Sequence, residues 1–424
     1  MKVVLKVKKN HIHYTYICYN LLEECENMNI NDVLDVEIID IDCNGNGFSK
    51  YNNIVIFVKG VFLKELVRIR IVNIKKRFMI GEVIEILRKS EDRKKIDCPY
   101  FYSCGGCNFL HVDYDKELSV KNDSILKMFE GYNVKNIVSL ERYNYRNKVT
   151  LHVCDGKIGY YKKDSNELEC INCCLLLNEE INKFIKILSD YDLTDVSKII
   201  IRNANDNDIM IKIYGCLNDR DLIKLVSYSN LKSLYFNDKL IYGDEYLVDN
   251  INGIKYTIYP DSFFQVNKEG MIKIYDKVLE YAGSGNSLLD LYCGTGTIGI
   301  YLSKNYKKIL GIEINKDAIK NANINKKLNN IENIDFICSD SYKMINDKYD
   351  TIIVDPPRSG LSNKVINNLL KLSSKKIIYV SCNPKTLKDN LNSLVNKYVV
   401  EEISIINMFP CTEHVECVCF LKLK

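Results

Sequence analysis

Asp290-Leu-Tyr-Cys-Gly-Thr-Gly-Thr-Ile-Gly299 decides how the C-terminal half of this chain is read. The stretch follows an apolar run and leads into a helical pattern, so its glycines lie where a strand turns into a helix. Gly294, Gly296 and Gly299 spell G-x-G-x-x-G, which by itself suits NAD as well as S-adenosylmethionine. Three carboxylates separate the two readings. Asp290 closes the strand before the glycines, where a pyrophosphate would be repelled and a ligand with an ammonium and a sulfonium would be favoured. Glu313 ends the next strand, 23 residues on, where a carboxylate can grip both ribose hydroxyls. Asp340 ends the strand after that, placed to meet an adenine edge.

Outward from this turn, strand and helix patterns alternate. Strands are expected at 287–291, 308–314, 334–338, 351–354, 376–380, 401–407 and 414–422, with helices such as 316–328 and 363–372 between them. That order predicts a parallel sheet covered by helices on both faces. The last two strands are joined by only a short turn, so they must pair antiparallel. A doubly wound sheet with such an ending points to an α/β Rossmann-like class I methyltransferase domain, not to a dinucleotide dehydrogenase.

Upstream the pattern changes. Short apolar runs at 33–39, 53–58, 66–72 and 78–87, punctuated by the turn Asn44-Gly-Asn-Gly47, predict a small OB-like β-barrel. On its third strand Arg68 and Arg70 alternate with apolar residues, so one face points inward and a basic face outward, as a nucleic-acid binder requires. A Cys-rich loop and a mixed region follow. The expected organisation is an N-terminal extension over 1–28, a barrel over 29–90, a central α+β region over 91–250 and the methyltransferase domain over 251–424.

Composition sets the outer limits. The 424 residues are 46% hydrophobic and 27% charged, the balance of an ordinary globular protein. The longest apolar runs, such as Ile54 to Val58, are strand-sized, so no membrane association is expected. The basic N-terminus lacks the apolar core of an export signal, which predicts a cytoplasmic protein. Net charge is only +4, yet residues 59–95 carry 12 Lys and Arg against 5 Asp and Glu, a footprint suited to phosphate. The chain holds 17 cysteines, and in a protein that is not exported clustered Cys are first read as metal ligands or catalytic thiols. Cys98, Cys104 and Cys107 are spaced x5 and x2 with Gly-Gly between the last two. Zinc knuckles are usually paired and regular, so this spacing suits a bulkier cluster.

Two segments carry chemistry. Asp355-Pro-Pro-Arg-Ser-Gly-Leu361 follows a strand, and its prolines give a rigid floor with a carboxylate at the lip. One strand later comes Tyr379-Val-Ser-Cys-Asn-Pro384, with Cys382 at the ligand-binding edge of such a sheet. A small buried hydrophobe is the plainer role for a cysteine. The surrounding Ser381 and Asn383-Pro384 favour an exposed, reactive thiol instead.

Taken with Ser262-Phe-Phe-Gln-Val-Asn267, Gly311-Ile-Glu-Ile314, Met408-Phe-Pro-Cys-Thr-Glu-His-Val-Glu416, Cys98-Pro-Tyr-Phe-Tyr-Ser-Cys-Gly-Gly-Cys107 and Tyr145-Arg-Asn-Lys148, these segments resemble the bacterial RNA uracil-5-methyltransferases. The resemblance runs from about residue 29 to the end. It implies 5-methyluridine formation with S-adenosylmethionine as donor. Carbon 5 of uracil is a poor nucleophile, and a thiolate adding at carbon 6 makes it an enolate carbon, which is covalent catalysis. The resemblance assigns that thiolate to Cys382 and the base that removes the carbon 5 proton to Glu416. It gives Asp355 to the uracil and the cofactor, and stacking of the flipped base to Phe263. Gln265, Tyr292, Thr297, Glu313 and Asp340 are carried over as cofactor contacts, and His414 as a residue orienting its loop.

The same resemblance implies a [4Fe–4S] cluster on Cys98, Cys104, Cys107 and Cys174, although Cys170 and Cys173 compete for the fourth place. A barrel of the type called TRAM together with this motif resembles the 23S ribosomal RNA branch, since tRNA-specific members typically lack both. A monomer acting on RNA is therefore expected. Two other classes compete. An NAD-dependent oxidoreductase explains the glycines but leaves Cys382, Glu416 and the double proline without roles. An RNA-binding protein with a degenerate methyltransferase fold is disfavoured because every catalytic position is filled.

Overall fold

The computed structural model describes residues 28–42, 44–162, 165–205, 207–343 and 348–424. The extension expected over 1–28 falls outside the described residues apart from Met28. The chain divides into two compact units, one ending at Arg93 and the other running from Lys94 to Lys424.

The first unit contains β1 (Val33–Glu37), β2 (Asp40–Ile41), β3 (Gly47–Tyr51), β4 (Ile54–Val58), β5 (Leu66–Ile74) and β6 (Phe78–Arg88). Their order in the sheet is β1-β5-β6-β4-β3-β2. β1 and β2 are halves of one bent segment: Ile38 N–H donates to Glu65 O (2.9 Å) on one side and Ile39 N–H to Phe48 O (2.9 Å) on the other. Both ends of the row therefore belong to the same stretch, and the sheet closes into a barrel. Alternation on β5 decides which face is inside. Val67, Ile69 and Ile71 are fully buried against Ile56, Val58 and Met79, while Arg68 and Arg70 face outward. Acids answer part of that basic face, with Arg68 paired to Asp35 at 2.8 Å and Arg88 to Glu37 at 2.7 Å.

The second unit opens with the cysteine-rich loop and α1 (Tyr114–Met128). A first sheet then forms from β7 (Lys148–Cys154), β8 (Lys157–Tyr161), β9 (Leu168–Cys170), β10 (Val196–Ala204), β11 (Asp208–Gly215), β12 (Leu231–Phe236) and β13 (Lys239–Gly243). Its order is β13-β12-β11-β10-β7-β8-β9, with α2 (Glu179–Ser189) and α3 (Asp219–Val226) supplying apolar side chains to one face. The hairpin β14 (Leu247–Ile251) and β15 (Ile254–Ile258) follows, and then α4 (Lys268–Ala282), capped by the Asn267 side chain.

The second sheet takes β16 (Gly285–Leu291), β17 (Tyr306–Glu313), β18 (Ile334–Cys338), β19 (Thr351–Val354), β20 (Lys376–Ser381), β21 (Tyr398–Ile406) and β22 (Glu416–Leu423). Helices α5 (Thr297–Tyr301), α6 (Lys316–Leu328), α7 (Asn363–Leu372) and α8 (Pro384–Leu394) connect them. Five strands run parallel in the order β18-β17-β16-β19-β20. Side chains alternate between two cores: Leu288, Ile353 and Ile378 join α4 on one face, and Leu289, Ile352 and Ile377 join α7 and α8 on the other. The final pair is antiparallel, as its short connection requires, and β22 inserts between β20 and β21. That insertion positions the site. Among the described residues, no helix is long and apolar enough to cross a membrane.

Candidate active site

The glycine turn leaves β16 through Tyr292 (φ 63°), Gly294 (φ 52°) and Gly296 (φ 77°). A Cβ on Gly296 would lie 2.5 Å from the Phe336 ring, so only glycine fits there, while the Cβ side of Gly294 is open. Asp290 sits beneath the turn, not at the solvent edge. Its Oδ2 accepts the Gly299 N–H at 3.0 Å, whereas its Oδ1 is buried without a partner. Burial, with Asp355 and Glu313 nearby, pushes this carboxyl up to about 8. Glu313 grips the turn from the next strand, its two oxygens accepting Gly294 N–H (3.3 Å) and Asn315 N–H (2.9 Å). Tyr292 bonds Ser341 and lies within electrostatic reach of Asp340 and Glu313. The Thr297 hydroxyl accepts from Tyr275 OH at 2.7 Å.

Phe263, Gly294, Thr295 and Glu313 line one cavity of about 690 Å³, which continues to Lys212 and Tyr235 of the first sheet. The Phe263 ring is 73% exposed, conspicuous for a phenylalanine. Gln265 is half-buried, and its backbone carbonyl accepts from the Asn147 amide at 3.1 Å.

Cys382 immediately follows β20 and is half-buried. Because Ser381 pairs with Cys417 in the register of β20 and β22, Glu416 lies beside Cys382 although it is 34 positions further along the sequence. Burial pushes the Cys382 thiol up to about 11, reinforced by Glu416 and Asp355 and opposed by Arg358. Glu416 is 5% exposed, and burial followed by Asp355 drives its carboxyl well above the usual range, again against Arg358. Asp355 keeps some exposed surface, yet the protein around it is dense enough that burial raises its carboxyl to about 7. Arg358 is thus the cation shared by nucleophile candidate and base candidate. Its carbonyl is held by Asn383 (3.0 Å) and Thr386 (3.3 Å), and its guanidinium meets His414 Nδ1 at 3.3 Å.

The cysteine-rich loop frames a second cavity, of about 400 Å³, lined by Cys98, Cys104, Cys107, Cys173 and Cys174 with Arg146 at its wall. Burial raises the Cys98, Cys107 and Cys174 thiols, and the thiols repel one another when charged. Cys170 is exposed and does not line the cavity. The thiols share a neighbourhood without converging to one ligand point: among the described residues, no three Cys, His, Asp or Glu side chains are placed to hold a single metal ion.

A family model described as tRNA (Uracil-5-)-methyltransferase matches residues 212–348 and 340–424. The chain belongs to this family. An uncharacterized RNA methyltransferase of Caldanaerobacter subterraneus subsp. tengcongensis is 32% identical, over 92% of this chain and 99% of that protein. One from Staphylococcus aureus is 29% identical over 93% of this chain and 99% of its own. Among solved structures, the Pyrococcus abyssi tRNA (uracil-54, C5)-methyltransferase in complex with S-adenosyl-L-homocysteine superposes with a TM-score of 0.78. It is 26% identical and covers 91% of this chain and 99% of its own.

Sequence reasoning gave no role to Arg358, although it stands inside a quoted segment. The signal was weak because an arginine after two prolines looks like a solvated loop residue. Asn390 was also missed: its Oδ1 accepts Leu361 N–H (2.7 Å) and Tyr379 OH (2.8 Å), fixing the Pro-Pro loop against the Cys382 strand. Ile314, next to Glu313 and 68% exposed, offers an apolar plane at the same sheet edge.

Proposed function

We propose that this chain methylates carbon 5 of a uridine in 23S ribosomal RNA through a transient Cys382 adduct. The observation that carries the reading is the strand insertion that sets Glu416 beside Cys382 at the edge where the glycine turn ends. S-adenosylmethionine, when bound, supplies an electrophilic methyl group. The unpartnered, buried Asp290 Oδ1 fits a ligand bearing an ammonium, because an orphaned buried acceptor is costly until a donor reaches it. Glu313, Asp340, Tyr292, Gln265 and Thr297 surround the remaining cofactor surface in this reading, with Asp355 between cofactor and uracil.

Cys382 acts as thiolate. Its sulfur bonds carbon 6, the carbon 5–carbon 6 π electrons move to carbon 5, and carbon 5 takes the methyl group as the donor's carbon–sulfur bond breaks, leaving a neutral thioether. Glu416 then accepts the carbon 5 proton, and the carbon–sulfur bond breaks with its electrons returning to sulfur. Arg358 favours the ionised forms of both Cys382 and Glu416, offsetting their burial. Asp355, with its carboxyl raised to about 7, is protonated in a sizeable fraction near neutrality and can donate to a uracil oxygen as charge develops there. Phe263 stacks on the extruded base.

The barrel of the first unit, read as a TRAM domain, presents Arg68 and Arg70 to RNA phosphates, and the three-domain division of the chain goes with that reading. Cys98, Cys104, Cys107 and Cys174 would hold a [4Fe–4S] cluster. Five thiols around about 400 Å³ fit a group bulkier than one ion, and the cluster's role is structural because the reaction moves no electrons to it. A monomer in the cytoplasm completes the proposal.

One observation favours tRNA as the substrate instead. The Pyrococcus protein, a tRNA (uracil-54, C5)-methyltransferase, covers more of this chain than the second unit alone could supply. A barrel counterpart therefore does not by itself exclude tRNA. Incubating the full chain with methyl-labelled S-adenosylmethionine and total RNA, then mapping 5-methyluridine, tests both readings. Label in 23S RNA supports the first, label in tRNA the second, and label at neither refutes the assignment.

A further inference from the structure

The base candidate Glu416 stands at the first residue of β22, directly after the connection 407–415 that leaves β21. A polar network reaching that connection from α1 is one of the groups that hold it. Glu117 and Lys121 lie one turn apart on the inward face of α1, 0% and 3% exposed, in line with buried Ile125. Lys121 Nζ donates to Glu117 Oε1 (2.8 Å), to Asn407 Oδ1 (2.7 Å) and to Phe409 O (3.3 Å). Glu117 Oε1 also accepts Cys411 N–H at 2.8 Å. Cys411 has φ 67°, a left-handed conformation that a non-glycine residue holds only when its surroundings impose it.

An apolar pair on this face of α1 would serve stability as well or better, because a buried ion pair must repay a large desolvation cost. The network therefore does something that packing alone does not. It holds 407–415 at its start, at Asn407, and at its middle, at Cys411, before the chain reaches Glu416. Further anchors hold the same connection, among them Asn267 Nδ2 to Met408 O (2.9 Å), Tyr145 OH to Pro410 O (3.0 Å), the Asn108 and Phe109 N–H groups to Cys411 O (2.7 and 3.1 Å) and Asn108 Nδ2 to Glu413 Oε2 (2.9 Å), but none of these ties Asn407 to Cys411.

We propose that Lys121, held by Glu117, is a positioning residue for proton abstraction, keeping the 407–415 connection in the one conformation that aims Glu416 at carbon 5. The inference rests on the proposed role of Glu416. Lys121 touches neither substrate nor cofactor and acts only through the loop. Since addition of Cys382 and methyl transfer precede the step it serves, its loss should stall the reaction after the carbon–sulfur bond has formed.

The test uses the full chain, uridine-containing RNA and S-adenosylmethionine, and measures methylation rate together with the fraction of enzyme caught as a denaturation-resistant RNA adduct. Lys121→Met should lower kcat about 10- to 100-fold, leave KM for RNA within about twofold, and raise the trapped fraction several-fold. Asn407→Ala, which removes the acceptor at one end, should do the same and serves if Lys121→Met does not fold. Glu416→Gln is the reference and should trap adduct most strongly. If it traps adduct while the folded Lys121 or Asn407 variants lose methylation and adduct in parallel, or lose neither, the positioning role is overturned and the role of Glu416 stands. If Glu416→Gln traps none, the assignment of the base fails and the positioning role fails with it.

Discussion

Two groups of cysteines in this chain are buried to similar degrees and have opposite company. Cys382 faces two carboxyls, Glu416 and Asp355, with the cation Arg358 in attendance. Cys98, Cys104, Cys107 and Cys174 face chiefly one another around a cavity. Burial raises the thiol in both places, but the remedy differs. A thiol opposed by carboxyls ionises when those carboxyls are protonated or when a nearby cation outweighs them. Thiols opposed by thiols ionise together only if a group of several positive charges is placed among them. One arrangement is suited to a sulfur that bonds and leaves, the other to sulfurs that bond and stay.

The contrast breaks most decisively at Cys382. Cys382→Ala should lower methylation at least about 10³-fold and abolish the adduct with 5-fluorouridine RNA, while iron content is unchanged. Retention of the adduct would remove the nucleophile from this site. Cys107→Ser should do the reverse: loss of iron and of visible absorbance in anaerobically purified protein, with a fall in Tm of about 5 °C or more. Full stability without iron would mean that the cavity thiols have no structural partner.

A smaller effect sharpens the role of the cation. With the thiol raised to about 11, the thiolate fraction climbs about tenfold per pH unit through the neutral range, so the rate should rise with pH between about 7 and 9 if thiolate formation limits it. Arg358→Gln lifts the thiol further, so a pH–rate profile should show a loss of about 10-fold at neutral pH that shrinks toward alkaline pH. The smallest effect belongs to Asp290. Its folded carboxyl is raised to about 8 from 3.8, so neutral Asp290 costs little at acid pH, and stability is lost as pH rises through about 8. In cofactor-free protein, Asp290→Asn should raise Tm by a few degrees at pH 8.5 and leave it nearly unchanged at pH 4.

Much of this was legible in the residues. The expected strands at 334–338 and 351–354 coincide with β18 and β19, because short β-branched runs between polar turns have no competing helical period. The expected starts 308 and 401 fall two and three residues inside β17 and β21. Asp290 shows what pattern leaves out. Its place at a strand end gives no sign that one of its oxygens braces Gly299 beneath the turn while the other is buried without a partner.

What sequence alone determined is local: the glycine turn, the acids at strand ends, the alternation of Arg68 and Arg70 with buried neighbours, and the spacing of the cysteines. These follow from backbone geometry and side-chain period, which act over a few residues. The juxtapositions were decided only in three dimensions. Insertion of β22 between β20 and β21 brings Glu416 to Cys382, and the buried Lys121 reaches across 286 positions to Asn407. Neither can be read from period or propensity, because both depend on which strand pairs with which and on the burial that pairing creates.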